Sequence, residues 1–394
     1  MEEKNSEKKE RKMRDSGVSW IGEVPEGWEF SKIKYHCTMK SGDNITALDI
    51  SDNGEYPVYG GNGLRGFYKI YNKNGNHILI GRQGALAGNV HLVNGKFWAT
   101  DHAVIVTLKN DVFINYFFRI LESMTLNQYA FDTAAQPGLS VSRIMNLNIV
   151  LPNLKEQHRI ADFLDSKCSE IDTLIENLRA RMESAKEYKK AVITEAVTKG
   201  LDKDAKMKDS GVEWIGEIPE GWKYAKAKYC IEIQNGSDPH LEGNIPVYGS
   251  GAKSFKTCGE YKNGPTVLIG RKGATLHIPH YIVGKFWNVD TAFNVYTKPH
   301  YLLKYYYYCA VSFDYKSYIS QTTLPSMTQT NYENMVLPMP SLLEQQQIVS
   351  FLDYKCSEID TLLQNYEDQI STLEEYKKSL IYEYVTGKKE VPAA

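Results

Sequence analysis

The chain has 394 residues, a formal net charge of −2 at pH 7, 42% hydrophobic residues and 24% charged residues. This length and balance are typical of a soluble globular protein with two domains of ordinary size. No apolar run is long enough to cross a membrane, and the charged N-terminus lacks the apolar stretch of a signal peptide, so we expect a cytoplasmic location. The slightly negative charge argues against a general nucleic-acid binder. It leaves open a protein that contacts base edges while its partners neutralise most phosphates.

The N-terminal part of the chain predicts a charged tail followed by a mixed α/β body. Residues 1–12 are almost wholly charged or polar, which favours a disordered tail. Short β-branched runs separated by Gly and Asn predict strands at 77–80, 90–93 and 103–108. Apolar residues recur at helical spacing over 112–124 and predict a short helix. The first body is therefore predicted to span 13–152 and to contain both helices and strands.

The same body occurs a second time. Residues 13–28 read MRDSGVSWIGEVPEGW and residues 207–222 read MKDSGVEWIGEIPEGW, an offset of 194 positions. Three shorter pairs follow in the same order: PVYGGNG with PVYGSG, ILIGRQGA with VLIGRKGA, and GKFW with GKFW. A two-copy repeat of this length predicts a second, similar body at 201–340.

Each body is followed by a segment with the signals of a long helix. These helical segments are predicted at 153–200 and 341–388, with a short tail at 389–394. Asn153 with Glu156, and Ser341 with Glu344, have the spacing of an N-cap and capping box. Both helices therefore begin with the same pattern.

Apolar residues recur every seven positions along both helices and predict coiled-coil seams, interrupted by Lys189 and Lys377 at matching places. The predicted fold class is α+β, with two similar mixed α/β bodies separated by two long antiparallel coiled-coil helices in a pseudo-twofold arrangement. In the alternative, each helix packs separately against its own body. The residues predicted to pack between the helices are Leu164, Ile171, Leu178, Leu352, Ile359 and Leu373.

The cysteines and histidines carry no metal motif. No two of the six cysteines have CxxC spacing, and Cys168 and Cys356 occupy equivalent repeat positions. Such positions suit buried apolar side chains in a reducing compartment better than disulfides. His277 and His280 have no counterpart pair in the first body, which favours a surface pair over a metal site. No metal or cofactor site is predicted on this chain.

The usual signatures of catalysis are missing from the sequence. It has no GxxxxGK[ST] phosphate loop, no GxGxxG-type cofactor loop with an Asn-Pro-Pro-aromatic motif, and no G-x-S-x-G nucleophile turn. Glu187 with Lys189, and Glu375 with Lys377, have a nuclease-like spacing but lie inside the predicted helices, where solvent-exposed charges are common. We therefore predict that the chain is not an enzyme.

The repeated turns hold the candidate binding residues. Both bodies have GR[QK]GA after a predicted strand, where glycines let the backbone approach a ligand and an Arg can bind a phosphate or a guanine edge. Taken alone, the motif fits a structural salt bridge equally well. The PVYG turns and GKFW segments add polar and basic side chains at matched places. The predicted DNA-binding residues are Asn62, Arg65, Arg82, Gln83, Lys96, Ser250, Lys253, Arg271, Lys272 and Lys285.

Residues that are identical in both bodies serve what the bodies share, and residues that differ at matched places can serve different specificities. Gln83 and Lys272 are the sharpest such pair. Because Gln suits adenine and Lys suits guanine in the major groove, this pair predicts different targets for the two bodies.

Taken together, the DSGVxWIGExPEGW block, the GRxGA turn, GKFW and the helix start LPxLxEQxxIxxFLDxKxxEIDxL resemble the specificity subunit of type I restriction-modification enzymes. The resemblance runs from Asp15 to Lys388 in a two-copy arrangement. It implies two target-recognition domains that each read half of a split double-stranded DNA site. It also implies partners, namely two methyltransferase subunits and two restriction (motor) subunits, which would use S-adenosylmethionine, ATP and Mg²⁺.

Two other interpretations remain open from the sequence. One is a coiled-coil scaffold that joins two modules for protein or carbohydrate ligands, without DNA specificity. The other is an enzyme with an unfamiliar site, which activity of the purified chain alone would reveal. A library of DNA duplexes separates the scaffold from the recognition subunit, because only the latter enriches a split sequence.

Overall fold

A computed structural model describes residues 11–83, 87–109, 112–131, 138–315, 318–320 and 325–392. The predicted N-terminal tail lies largely outside these described residues. The chain forms two compact units, which consist of Met1–Asn177 with Gln369–Ala394 (unit 1) and of Leu178–Asp368 (unit 2). Among the described residues, no helix is long and apolar enough to span a membrane.

The helices are α1 (Ile33–His36), α2 (Ile114–Ser123), α3 (Val141–Met145), α4 (Leu154–Lys199), α5 (Leu303–Ser312), α6 (Gln329–Asn334) and α7 (Leu342–Val385). The strands of unit 1 are β1 (Met13–Asp15), β2 (Glu23–Pro25), β3 (Glu29–Lys32), β4 (Cys37–Ser41), β5 (Tyr56–Gly60), β6 (Gly63–Tyr68), β7 (Lys73–Asn74), β8 (His77–Gly81), β9 (Val90–Val93), β10 (Lys96–Ala99), β11 (Ala103–Leu108), β12 (Ala130–Phe131), β13 (Gly138–Leu139) and β14 (Asn148–Leu151). Those of unit 2 are β15 (Met207–Asp209), β16 (Glu217–Pro219), β17 (Lys223–Lys226), β18 (Ile231–Asn235), β19 (Ile245–Tyr248), β20 (Lys256–Cys258), β21 (Lys262–Asn263), β22 (Thr266–Gly270), β23 (His280–Ile282), β24 (Lys285–Asn288), β25 (Ala292–Thr297) and β26 (Val336–Met339).

Two four-stranded sheets form the centre of the body in unit 1. One has the order β4-β11-β8-β9 and is antiparallel throughout, and the other has the order β6-β5-β10-β7. In the second sheet β5 and β10 run parallel, with Val58 opposite Trp98. Strands β8 and β11 are buried along most of their length, as expected for short β-branched runs covered on both faces. The strands predicted at 77–80, 90–93 and 103–108 and the helix predicted at 112–124 are confirmed.

The body of unit 2 repeats this arrangement. Its two larger sheets have the orders β18-β25-β22-β23 and β20-β19-β24-β21, which match those of unit 1 strand for strand. Strands β19 and β24 are again the parallel pair, with Val247 opposite Trp287. The predicted α+β fold with two similar bodies and two long helices is therefore confirmed.

The helices α4 and α7 begin as the capping pattern predicts, with one difference. In α7 the Ser341 N–H donates to the Glu344 carboxylate at 2.9 Å, and the Glu344 N–H donates back to Ser341 Oγ at 3.3 Å. In α4 the Glu156 N–H donates to Asn153 Oδ1 at 3.0 Å, but the Glu156 carboxylate pairs with Arg11. The first helix therefore shares its N3 carboxylate with the segment that precedes β1.

Within unit 1 the two helices run antiparallel. The Lys377 ammonium lies 2.7 Å from the Asp172 carboxylate, and the Phe163 ring contacts the Tyr384 ring with centroids 4.6 Å apart. Unit 2 has the matched ion pair, in which Lys189 Nζ lies 2.6 Å from an Asp360 carboxylate oxygen. Each lysine that interrupts a predicted seam therefore pairs with the opposite helix.

The predicted helix-packing residues lie in covered positions. The side chain of Leu373 is half-buried against the core of unit 1, and the other five are buried. Part of this burial comes from the bodies, because Leu164 belongs to the core of body 1 and Leu352 to the core of body 2. Each end of a long helix thus contacts both a body and the other long helix. Each unit therefore combines the predicted pairing of the two helices with the alternative, in which a helix packs against a body.

Each PEGW block packs against the end of a long helix. Gly387, which follows α7, has φ +73°, and a Cβ there would lie 2.5 Å from Pro25 and 3.0 Å from the Trp28 ring. Gly200, which follows α4, has φ +76°, and its Cβ would lie 3.1 Å from the Trp222 ring. Only glycine combines a left-handed conformation with this close approach. Each unit therefore packs its PEGW block on the C-terminal glycine of a long helix.

Two buried glutamines attach the bodies to the helices. Gln157 Oε1 accepts the Phe113 N–H at the start of α2, at 2.9 Å, while its Nε2 donates to the Pro152 carbonyl, also at 2.9 Å. Gln345 repeats this with the Leu302 N–H at 2.7 Å. The free N–H groups at the start of a short helix are thus satisfied by a side chain of a long helix.

A tyrosine and an aspartate complete each attachment. Tyr116 of α2 donates to the Val385 carbonyl at the end of α7, and Tyr305 of α5 donates to the Val197 carbonyl at the end of α4. Asp165 of α4 accepts hydrogen bonds from Asn115 and Arg119, and Asp353 of α7 accepts hydrogen bonds from Lys304 and Tyr308. Each recurring contact orients a body on its helices.

Candidate nucleic-acid interface

The turn after β8 presents Arg82 and Gln83. The Arg82 N–H donates to the His102 carbonyl at 2.9 Å, and the Arg82 carbonyl accepts the Leu139 N–H at 2.9 Å. Because the backbone of Arg82 is tied on both sides, its side chain and that of Gln83 are held at the surface, where both are exposed. The last two residues of the GRQGA motif, Gly84 and Ala85, lie outside the described residues.

The PVYG turn of unit 1 lies beside Arg82. A Cβ on Gly61 would lie 3.1 Å from the His102 carbonyl oxygen, the same group that receives the Arg82 N–H. Asn62, at the tip of this turn, accepts a hydrogen bond from Asn89 at 3.3 Å, and Arg65 lies on β6 against Gly60. The structure therefore brings four predicted residues to one edge of body 1: Asn62, Arg65, Arg82 and Gln83.

The matched edge of unit 2 has the same backbone frame. The Arg271 N–H donates to the Thr291 carbonyl at 2.8 Å, and its carbonyl accepts the Met327 N–H at 2.9 Å. Ser250 lies beside this turn, where its carbonyl accepts the Thr275 hydroxyl at 3.0 Å. Lys253 lies three residues beyond Ser250 and is exposed.

The charged side chains at the two edges make different contacts. Arg82 donates to the Ser41 hydroxyl at 3.2 Å, whereas Arg271 lies over the Phe293 ring with its guanidinium carbon 5.8 Å from the centroid. Lys272 lies 3.8 Å from the Asp290 carboxylate. Since both of these side chains are about half exposed, water screens their attraction and the lysine remains accessible to an anion.

Lys96 and Lys285 are not brought to these edges. Each begins the strand whose far end reaches the turns, and each lies over a tyrosine ring instead. Lys96 Nζ is 4.9 Å from the Tyr71 centroid, and Lys285 Nζ is 4.1 Å from the Tyr261 centroid. On each body, this predicted lysine therefore lies at a position separate from the turns.

Two histidines lie at matched positions beside the turns: His91, which the sequence analysis did not single out, and His280, which it assigned to a surface pair. The His91 ring is 3.4 Å from where a Cβ on Gly63 would lie. His91 Nε2 and His280 Nε2 are both buried, and neither has a hydrogen-bond partner in the described part of the chain. Burial lowers the pKa of both rings, which favours the neutral form. Their shared place, five residues before the lysine of GKFW, was a signal available in the sequence.

Across the described ranges, no group of three or more His, Cys, Asp or Glu residues could hold a metal ion. All six cysteines are buried and unpaired, as their spacing indicates. Burial raises the pKa of the Cys37 thiol to about 12 and that of Cys230 to about 11. These thiols are protonated at neutral pH and are poor ligands and nucleophiles.

Comparison with known families places this geometry in context. A family model described as the type I restriction modification DNA specificity domain matches residues 25–184 and again residues 219–371. The chain belongs to this family. Each match takes in most of one body together with part of the long helix that follows it. The resemblance predicted from the repeated motifs is therefore confirmed.

Individual proteins similar to this chain carry names that match the family. The chain is 42% identical over 144 residues to the type I restriction enzyme EcoprrI specificity subunit of Escherichia coli, a match covering 36% of this chain and 35% of that protein. It is 31% identical over 230 residues to the MjaVIII specificity subunit of Methanocaldococcus jannaschii, covering 54% of this chain and 51% of the relative. The matches thus span about a third to a half of these relatives.

A solved structure supports the fold. A chain from a study of complex assembly and conformational transition of the type I restriction-modification system aligns over 93% of this chain and 99% of its own length, with a TM-score of 0.67. At 15% identity, this likeness concerns the fold alone.

Proposed function

We propose that this family member recognises double-stranded DNA as the non-catalytic specificity subunit of a type I restriction-modification complex, with each body reading one half of a split, asymmetric site. One observation carries the proposal: the two units hold matched turns on the same backbone frame but place different side chains on them. Arg82 with Gln83, and Arg271 with Lys272, occupy equivalent positions. A common frame suits a common ligand, and different side chains suit different base sequences.

The chemistry of these side chains fits base edges. An Arg at each turn can bind a phosphate or a guanine edge through its guanidinium. Gln83 can donate to and accept from adenine, whereas Lys272 can only donate, which suits the acceptors of guanine. We propose that Gln83 and Lys272 distinguish the two half-sites. Asn62, Arg65, Ser250 and Lys253 then contact neighbouring bases or phosphates, and Lys96 and Lys285 contact phosphates farther along the duplex.

The long helices are proposed to fix the spacing between the half-sites. Helices α4 and α7 are continuous, and each contributes residues to both units. Their exposed charged faces are candidates for docking two methyltransferase subunits, and two restriction (motor) subunits complete the complex. S-adenosylmethionine, ATP and Mg²⁺ would act on those other subunits. The exposed helix residues proposed for docking are Glu170, Arg179, Arg181, Glu187 and Lys190.

Methylome sequencing tests the proposal directly. Cells that carry this chain with its methyltransferase subunit are expected to show modified adenines within a two-part motif separated by a fixed number of unspecified bases. Matched cells with Arg82→Ala and Arg271→Ala in the chain are expected to lose or relax that motif. If the unaltered chain yields no split motif, and a DNA library shows no enriched split sequence, the recognition function is wrong and the scaffold interpretation takes its place.

A further inference from the structure

Unit 2 contains a cavity that is lined in part by Arg271 and Lys272 of the turn after β22. Its volume is about 350 Å³. Phe293 and Met327, both buried, form an apolar floor, and six polar or charged residues surround it. The polar and charged lining residues are Asn235, Arg271, Lys272, Ser326, Thr328 and Gln329.

The matched place in unit 1 is built differently. Strand pairing sets Asn235 against Phe293 as it sets Ser41 against Val104, so Ser41 and Val104 are the counterparts of two lining residues. The arginine also differs, because Arg82 donates to the Ser41 hydroxyl across this place.

In unit 2 the corresponding arginine, Arg271, makes different contacts. Its Nη1 is 3.5 Å from the Asp290 carbonyl oxygen, and its guanidinium lies over Phe293. Two further lining residues differ from their counterparts, with Lys272 in place of Gln83 and Gln329 in place of Val141. The cavity in unit 2 thus has an aromatic ring, two amides and a lysine at positions where unit 1 has valine, serine, valine and glutamine.

A cavity of this shape cannot read a base that remains stacked in the duplex. Base edges in the major groove are contacted by protruding helices or ribbons, because the groove itself is the concave partner. A concave site instead receives a group that projects from the DNA. A phosphate would use the cations but not the apolar floor. A nucleobase that has left the stack uses both, since extruded bases are held by apolar contacts and by hydrogen bonds to their edges.

We propose that this cavity of unit 2 binds one unstacked nucleobase of the half-site read by that unit. This inference rests on the proposed function. Arg271 and Lys272 supply donors, and Phe293 supplies the apolar surface. The Asn235 amide can donate and accept, whereas Gln329 offers its amide oxygen as an acceptor because its Nε2 donates to Glu333 at 2.7 Å. Acceptor-rich guanine matches these donors best.

The full-length chain with its methyltransferase subunits tests the inference on duplexes that carry its own methylome motif. Fluorescent analogues are placed in turn at each position other than the two methylated adenines, which methyltransferases extrude themselves: 2-aminopurine for adenine, pyrrolocytosine for cytosine and 6-methylisoxanthopterin for guanine. Binding is expected to raise fluorescence several-fold at one position in one half-site only. An abasic site opposite the responding base, which weakens its pairing, is expected to tighten binding.

Variants that carry the residues of unit 1 provide the matched comparison. Gln329→Val and Asn235→Ser are expected to abolish the fluorescence rise and to weaken binding by about tenfold, the loss expected for one held base. Asn235 is exposed and Gln329 is half-buried, so both variants are expected to fold, and thermal melting checks this. Val141→Gln, the reverse change in unit 1, is expected to leave the signal unchanged.

Three results overturn the inference. Fluorescence that rises at no position shows that no base is unstacked there. Variants that keep the full signal show that the cavity is not its source. Binding that weakens equally on all DNA sequences, with a smaller salt dependence, identifies a phosphate contact instead. In each of these cases, a split methylation motif still supports the recognition function. The absence of such a motif with the unaltered chain refutes the recognition function itself.

Discussion

Lys189 of α4 contacts Asp360 of α7, with its ammonium 2.6 Å from one carboxylate oxygen and 2.7 Å from the other. The lysine side chain is 27% exposed and the aspartate 57%. Asp172 and Lys377 repeat this contact in unit 1 at equivalent helix positions. Polar residues in an apolar seam set which positions face each other, often at some cost in stability. We interpret both pairs as devices that fix the register of the two helices.

Asp360→Asn is therefore expected to change stability only slightly. Because the carboxylate is more than half exposed, the free energy of unfolding should fall by less than about 1 kcal/mol. A double-mutant cycle with Lys189→Met in chemical denaturation measures the coupling. Asp172→Asn is the matched control and should give a similar value. A coupling well above this range contradicts the register interpretation, because it would make the pair a major source of stability.

Replacing the glycines that follow the long helices is expected to lower the stability of the fold, by different amounts at the two positions. Gly387→Ala adds a Cβ that overlaps Pro25 in a backbone conformation that itself costs about 1–2 kcal/mol for alanine. Gly200→Ala has the same conformational cost but a looser contact, with Trp222 at 3.1 Å, so its loss of stability should be smaller.

Thermal melting of the full chain checks this order. Gly17→Ala is the control, because Gly17 has φ +65° and nothing within 4 Å of an added Cβ. It isolates the conformational cost from the overlap. If all three variants melt together, the packing of PEGW on the helix ends contributes nothing measurable.

Gln157→Leu is expected to destabilise unit 1 strongly. The leucine keeps the volume but leaves the Phe113 N–H and the Pro152 carbonyl without partners, at about 1–3 kcal/mol for each buried group. Gln345→Leu should do the same in unit 2. Hydrogen exchange read at the start of α2 or α5 localises the effect. Gln364→Leu, at an exposed position of α7, is the control and should leave both units unchanged.

The cysteines are expected to resist alkylation in the native chain at pH 8. All six are buried, and because the thiolate is the nucleophile, the raised pKa values leave almost no reactive form at that pH. Burial raises the pKa of Cys37 and of Cys309 to about 12, so the reactive form would be populated only near or above that pH.

Iodoacetamide labelling with peptide mapping measures this. Labelling should begin only with denaturant, when Cys37 and Cys168 report on unit 1 and Cys230 and Cys309 report on unit 2. Rapid labelling of any of these in the native chain at pH 8 contradicts the burial on which the expectation depends.

Exchanging the residues at the matched turn positions is expected to change base preference in one half-site at a time. Gln83→Lys should alter the half read by body 1, and Lys272→Gln the half read by body 2. Each change should cost about 1–3 kcal/mol on the original sequence. The methylation motif of each variant is the measurement. Gln83→Ala that leaves the motif unchanged removes the support for this role.

Much of the fold follows from the sequence because its signals are local. The heptads and capping residues predicted α4 and α7, and β-branched runs predicted β8, β9 and β11. The pairing of strands did not follow, since the parallel contact of Val58 with Trp98 joins residues far apart in the chain. The proposed domain boundaries and site residues stay predictions.

The contacts that attach the bodies to the helices also cannot be predicted from the sequence alone. Gln157 and Gln345 sit in matching EQ pairs of the sequence, but only a fold shows that their amides meet the starts of short helices. Repetition in both bodies associates the motif GKFW with the turns. Its lysine begins a strand whose other end reaches the turn, and repetition alone does not reveal which end a residue occupies.

The contact of Trp28 with Gly387 has a consequence for synthesis of the chain. Body 1 leaves the ribosome before unit 2, yet the glycine on which its PEGW block packs is translated only after unit 2. Unit 2 is a single continuous stretch, Leu178–Asp368, and so is complete while unit 1 still waits for its final segment. Of the two units, the one whose translation begins earlier is therefore the one that finishes folding later.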